Sequence, residues 1–277
     1  MDALVEYAGA ADTGGPYARL TLNSPHNRNA LSTTLVNQLH QGLRDASADP
    51  AARVVVLGHT GGTFCAGADL SDAGGGDPRG DRERGATGRS GSPPSAFDMA
   101  VARAREMAAL MRAIVSSTLP VIAAINGHVR AGGFGLVGAC DIAVAGPRST
   151  FALTEARIGV APAIISLTLL PKLSARAAAR YYLTGETFDA GRAAEIGLIT
   201  EAAEDVDATV DKLVSDIGRG SPQGLAASKA LTTAAVLEGF DRDAERLAEE
   251  SARLFVSDEA REGMLAFLEK RPPDWAS

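Results

Sequence analysis

The strongest constraint on how this chain can fold is the order of three patterns near its start. "YARLTLN" (17–23) alternates like a strand, and "LSTTLVNQLHQGLRDASADP" then sets Leu35, Val36, Leu39 and Leu43 at helical spacing behind Ser32, a helix-capping residue type. "RVVVLGH" (53–59) follows as a short apolar run of the buried-strand type. Strand, helix, strand is α/β patterning. It continues with a helix over 97–117, a strand over 121–126, a glycine-rich segment and a strand over 141–145. After Leu198-Ile199-Thr200 the strands are expected to stop, leaving helices near 204–218, 222–236, 239–256 and 258–270. The last of these begins with acids and ends with bases, as the helix dipole favours. From Ser71 to Ser95 the chain is rich in Gly, Pro, Ser and alternating charge, which reads as a mobile loop.

With 277 residues, 45% of them hydrophobic and 22% charged, the chain can bury a full core as one large or two modest domains. A net charge of -7 argues against nucleic-acid partners, whose sequence-independent binding needs a basic surface. An anionic ligand would have to meet locally placed Arg, Lys or backbone N–H groups. No run of about 20 apolar residues is present to span a membrane. "MDALVEYAGA" lacks the basic start and apolar stretch of a secretory signal, so the expected location is cytoplasmic. Cys65 and Cys140 form neither a disulfide framework nor a zinc pattern and read as small buried hydrophobes.

"AGGFGLVG" (131–138) contains the bare spacing G-x-G-x-x-G of a dinucleotide-binding turn. Its context does not fit that use. Six residues separate Asn126, the end of the preceding strand, from Gly133, and the next strand, "DIAVAG", has no acid at its end to hold a ribose. The glycines need another explanation. "FCAGADL" (64–70) and "HVRAGGFGL" (128–136) each put small residues and free backbone N–H groups where a strand gives way to a turn or helix. Two such turns can converge their N–H groups on one oxygen, as an oxyanion hole does for a thioester carbonyl. A Ser-His-Asp hydrolase is disfavoured, because no G-x-S-x-G elbow occurs and His26, His40, His59 and His128 lack a motif context.

"NSPHNRNALS", "FCAGADL", "INGHVRAGGFGLVGACDIAVA", "FALTEARIGVAP", "LTGETFDAGRAAEIGLI" and "EGMLAFLEKR" follow one another in the order seen in the enoyl-CoA hydratase/isomerase, or crotonase, superfamily, which this chain resembles from about residue 4 to 270. The resemblance implies an α/β fold with a crotonase-type spiral of ββα units over 1–200, including the loop at 71–95, and a helical C-terminal trimerisation subdomain over 201–277. It implies an acyl-CoA thioester as substrate, no metal or redox cofactor, and a homotrimer or a hexamer made of two trimers. By the same resemblance the oxyanion hole falls on the N–H groups of Ala68 and Gly132. CoA contacts are expected at Arg28, Ala30, Ala66, Ala68, Asp69 and Leu70, with Phe267 and Lys270 reaching CoA from the C-terminal helix, in several members from a neighbouring subunit.

The catalytic carboxylates are where this chain departs from the family pattern. Hydratases of the family typically use two Glu, and alignment puts the first on Gly135, where no carboxylate exists. The second falls on Glu155, whose neighbours Leu153, Ile158 and Val160 suggest a buried segment in which a carboxyl pKa would rise toward neutrality. One Glu is enough for a 1,3-proton shift, which favours isomerase-like chemistry. Against this, some members described as hydratases, including methylglutaconyl-CoA hydratase-like proteins, carry a similar glycine-rich segment without Glu. Arg130 beside the oxyanion turn could pair with a distal carboxylate of the acyl group, or point to solvent or a subunit interface. A non-catalytic acyl-CoA-binding paralogue is the competing reading.

Overall fold

The computed structural model describes residues 3–69 and 94–276. Leu70 and nearly all of the loop expected at 71–95 lie outside the described residues, and Ser95 caps the helix that follows. The architecture is a spiral of ββα units. Strands β1 (Val5–Ala8), β2 (Tyr17–Leu22), β3 (Val54–His59), β5 (Val121–Ile125), β7 (Ile142–Ala145) and β10 (Glu201–Ala202) form one sheet in that order. Strands β4 (Thr63–Cys65), β6 (His128–Arg130), β8 (Thr150–Ala152) and β9 (Phe188–Asp189) form a second. The pairs β3–β4, β5–β6 and β7–β8 each give their first strand to the large sheet and their second to the small one. Helix α3 (Ala96–Val115) follows the β3–β4 pair, and helix α4 (Gly132–Ala139) follows β5–β6.

Among the described residues only β1–β2 and β8–β9 pair antiparallel; the other ladders are parallel. Strand β2 alternates between half-buried and buried residues, whereas every residue of β5 is buried, as expected for a parallel strand covered on both faces. On one face of the sheet helix α2 (Thr33–Ala48), capped by Ser32 as its sequence requires, packs on β1 and β2 with Leu35, Val36, Leu39 and Leu43 turned inward. On the other lies helix α8 (Val206–Gly218), whose Val206, Val210 and Val214 pack on Val54, Val56, Ile122 and Val144. Strand β10 and α8 thus belong to the same sheet layer as the strands before residue 200.

Two expectations are corrected by the structure. The strands do not stop at Thr200, because a short strand, β10, follows it and pairs with β7. The helices expected at 222–236 and 239–256 are a single helix, α9, running from Pro222 to Phe255. Glycine inside a helix costs about 1 kcal/mol relative to alanine, so Gly239 looks like a break in the sequence. Tertiary packing overrides it: α9 lies along α3, buries Phe240 and Ala248, and is tied to α3 by Arg105–Glu245 and Arg112–Asp241 ion pairs. Shorter helices complete the cover, including α5 (Ser166–Leu169), α6 (Ala175–Thr184), α7 (Ala190–Glu195) and α10 (Asp258–Glu269).

Candidate active site

Strands β4, β6 and β8 are adjacent and parallel, with Cys65 opposite Val129 and Arg130 opposite Ala152. They therefore end at one edge. Within three residues of those ends stand Ala68, Gly132 and Glu155, in the position beyond the carboxyl ends of parallel strands where α/β proteins bind ligands. The gap of six residues before Gly133 is explained by β6, a short strand that the sequence patterns concealed.

The first turn is fixed by a parallel bridge between Leu31 and Ala68. Leu31 N–H donates to the Gly67 carbonyl at 2.8 Å, and Asp69 N–H donates to the Leu31 carbonyl at 3.3 Å. In such a bridge the N–H of Ala68 itself points away from Leu31, and Gly132 stands close to it: a Cβ built on Gly132 would lie 3.2 Å from Leu31 Cδ1 and 3.7 Å from Ala68 N. Among the described residues neither the Ala68 N–H nor the Gly132 N–H has a hydrogen-bond acceptor. Gly132 is the first residue of α4, so its N–H is one of the groups a helix leaves unpaired at its N-terminus, where the dipole favours negative charge. The residue ahead of it, Ala131, has φ 44° and ψ -123°, a conformation L residues avoid.

The glycines of α4 are packing residues. A Cβ on Gly133 would meet the Cys65 carbonyl at 2.8 Å, and one on Gly138 would meet Thr168 Oγ1 at 2.9 Å. On Gly135 it would meet Ile165 Cγ2 and Met111 Sδ at 2.7 Å and Met107 Cε at 2.9 Å. The space beside Gly135 is filled by apolar side chains.

Glu155 begins a 3-10 turn, Glu155–Ile158, that follows β8. It is only 8% exposed, and its Oε2 has no partner among the described residues. Burial pushes its carboxyl up to about 7, against the smaller lowering effect of a hydrogen bond from its own backbone N–H. Helix α10 clamps this turn from outside: Gly159 and Gly263 bring the two backbones together, a Cβ on Gly263 lying 2.5 Å from the Ile158 carbonyl carbon.

A profile of the enoyl-CoA hydratase/isomerase family matches residues 14–90 and 97–277. The chain belongs to the enoyl-CoA hydratase/isomerase family. A crystal structure of an enoyl-CoA hydratase from Mycobacterium avium is similar at 81% identity and a TM-score of 0.88, covering 99% of this chain and 100% of that one. An enoyl-CoA hydratase of Mycobacterium tuberculosis is 32% identical over 99% of this chain and 96% of its own length. A mevalonyl-coenzyme A hydratase of Aspergillus fumigatus is 31% identical over 92% and 90%. The fold is the crotonase fold, and the chain is an enzyme of the enoyl-CoA hydratase or isomerase kind.

In this enoyl-CoA hydratase/isomerase family member, the residues expected at the CoA site fall into two groups. Arg28, Ala30, Ala66, Ala68 and Asp69 lie together, because the Arg28 carbonyl accepts from Ala66 N–H and Asn27 donates to Asp69. That loop is held by Asn29, a residue the sequence did not single out. Its buried amide accepts from Ser24 N–H and donates to the Thr60 and Thr63 carbonyls. Its neighbour Arg28 is exposed. Phe267 and Lys270 are exposed at the C-terminal end of α10. Arg130 donates to the Val129 and Thr150 carbonyls at 2.7 Å and to the Thr150 hydroxyl at 2.9 Å, which fastens β6 to β8. His128 shares that Thr150 hydroxyl, and His59 accepts from Asn126 N–H through Nε2, so each has a local structural partner. Cys65 and Cys140 are buried, and burial pushes both thiols up to about 12. Among the described residues no helix is long and apolar enough to cross a membrane.

Proposed function

We propose that this enzyme processes an acyl-CoA thioester through an enolate, with the N–H groups of Ala68 and Gly132 as the oxyanion hole and Glu155 as its one proton carrier. The observation that carries the reading is the buried Glu155 carboxyl, held near neutrality at the strand edge that also presents those two N–H groups. A group with a pKa near the working pH serves as both acid and base. Negative charge developing on the thioester oxygen is met by donors already in place and by the N-terminus of α4. The CoA ester is substrate rather than cofactor, with Arg28, Ala30, Ala66, Asp69 and Leu70, and from α10 Phe267 and Lys270, as its proposed contacts. Apolar filling at Gly135 favours reactions that one carboxylate can run: a 1,3-proton shift, or addition of water in which the same carboxylate takes and returns the proton. The hydrogen bonds of Arg130 support a structural role over an acyl contact.

The test is turnover of crotonyl-CoA, a 3-enoyl-CoA and methylglutaconyl-CoA by the wild type and Glu155→Gln. The expected result is turnover of at least one ester that Glu155→Gln loses by roughly a thousandfold or more. Tight binding of CoA esters without turnover of any would instead make the protein an acyl-CoA-binding paralogue. Cytoplasmic location and assembly as a trimer or hexamer belong to the same reading, the latter supported by Leu183 and Leu231, which are 78% and 81% exposed.

A further inference from the structure

We propose that the phenol oxygen of Tyr182 is the second group that holds the attacking water for Glu155, so that this single-carboxylate site hydrates an enoyl thioester. The inference rests on Glu155 as proton carrier. Ser166 Oγ donates its one proton to the Pro162 carbonyl at 2.8 Å. In the 3.1 Å contact between Ser166 Oγ and Tyr182 Oη, the phenol must therefore be the donor. The phenol proton is thus committed, and the phenol oxygen is left as an acceptor.

Packing sets the helix that carries this acceptor against the turn that begins at Glu155. Helix α6, which carries Tyr182, lies against the Glu155–Ile158 turn, where Arg157 donates from Nε and Nη2 to the Thr184 carbonyl at 3.1 and 2.7 Å. Ile165, the chain neighbour of Ser166, is one of the three residues, with Met111 and Met107, that fill the space at Gly135. Glu155 Oε2 is a buried acceptor that no described residue satisfies. Burial, with the Glu155 carboxylate as a lesser cause, pushes the phenol up to about 12, so Tyr182 stays neutral while Glu155 titrates.

A water has two hydrogens, and two acceptors fix both while its lone pair is left to attack. The water oxygen bonds to the β-carbon, and the double-bond electrons move to the thioester oxygen at the Ala68 and Gly132 N–H groups. The water gives one proton to Glu155 and keeps the other as the new hydroxyl. Glu155 then returns its proton to the α-carbon as the carbonyl reforms, so one H2O is added and the carboxylate is regenerated. Tyr182 takes no proton, which is why a phenol can stand where a second carboxylate is lacking.

The discriminating experiment compares two reactions in the wild type, Tyr182→Phe and Ser166→Ala. One is hydration of crotonyl-CoA. The other is exchange of the α-proton of butyryl-CoA in D2O, which needs Glu155 and the oxyanion donors but no attacking water. Tyr182→Phe is expected to lower kcat for hydration roughly 10- to 100-fold with KM nearly unchanged, and to leave exchange near the wild-type rate. Ser166→Ala should show a smaller fall of the same kind, and it decides the matter if Tyr182→Phe does not fold. Wild-type hydration by Tyr182→Phe, an equal loss of both reactions in the folded variant, or no hydration by the wild type would overturn the proposal. Either reaction surviving in Glu155→Gln would instead place the failure in the Glu155 reading.

Discussion

Gly67 and Ala131 meet so closely that a Cβ on Gly67 would lie 2.6 Å from the Cβ of Ala131 and 3.2 Å from Gly132 N. Two turns from different strands are thereby pressed together, with Gly67 at φ 99° and Ala131 at φ 44°. The first of these angles suits only glycine, and the second is strain tolerated by a small side chain. The proposed spacing of the Ala68 and Gly132 donors depends on this contact. Gly67→Ala should therefore force the turns apart, costing about 1–3 kcal/mol of stability and lowering kcat by roughly 100-fold. Steady-state kinetics alongside urea unfolding would check both effects. A variant that loses stability but keeps kcat would separate the hole from the turn contact.

Restoring the missing carboxylate should fail. Gly135→Glu drives a side chain into Ile165, Met111 and Met107 and buries a charge among them. Overpacking alone costs about 1–3 kcal/mol, and an unpaired carboxylate adds to that. The single variant is expected to unfold at lower urea and to gain no hydratase activity. Combining it with Ile165→Ala, which opens the obstructed side, should recover part of the stability. Denaturation midpoints of the two variants decide this.

Glu155 gives the enzyme an unusual pH dependence. Its carboxyl is raised from 4.5 to about 7 in the folded state by burial. Between those values the native state keeps a proton that the unfolded chain has released, so stability falls as pH rises through this window. The change is on the order of 3 kcal/mol and is complete above the folded pKa. Glu155→Gln removes the titration, so it should exceed the wild type in stability at pH 8 and lose that advantage toward pH 5. Activity moves the opposite way if the ionised carboxylate is the base, rising through pH 7. Urea titrations and kcat/KM across pH 5 to 9 test the two halves independently.

Lys229 holds the long helix α9 to the core. Its side chain is only 3% exposed, and its ammonium pairs with Asp141 Oδ2 at 2.7 Å and donates to the Ile114 and Leu119 carbonyls at 2.8 and 3.0 Å. Burial pushes it below its usual range while Asp141 opposes the shift. Removing one partner of such a buried pair costs about 3–5 kcal/mol, because the other charge is stranded. Lys229→Met should show that loss in chemical denaturation, whereas Arg105→Ala, breaking an exposed pair to Glu245, should cost less than about 1 kcal/mol.

How much was legible in sequence follows from how each feature is encoded. Strands β2, β3, β5 and β7 and helix α2 declare themselves by apolar period and by the Ser32 cap. The burial of Glu155 was readable from Leu153 and Val160, both buried beside it. Strands β6 and β8 are too short for any period, and their pairing is known only once the spiral closes. The unity of α9 was hidden by Gly239, since packing on α3 is nonlocal. Arg130 could not be placed in advance, because its Thr150 partner sits on another strand. Tyr182 left no signal: in "RYYLTGE" it is a second tyrosine, and its link to Ser166 exists only in three dimensions.

Gly263 is remote from the proposed chemistry yet supports the turn that carries it. Gly263, in α10, lets that helix touch the backbone at Ile158, and a Cβ there would meet Ile158 Cα at 2.6 Å. Backbone cannot swing aside as a side chain can, so Gly263→Ala must shift either α10 or the turn that begins at Glu155. Stability should fall by about 1–3 kcal/mol. The functional effect should fall on kcat rather than on KM, because the displaced element carries the proposed proton carrier and not the loop around Arg28 and Ala66. Measuring kcat and KM for Gly263→Ala, with Gly239→Ala in α9 as a helical glycine that has open space around its Cβ position, separates clamp loss from a general helix effect. An unchanged kcat in a folded Gly263→Ala protein would show that α10 only covers the turn and does not set the position of Glu155.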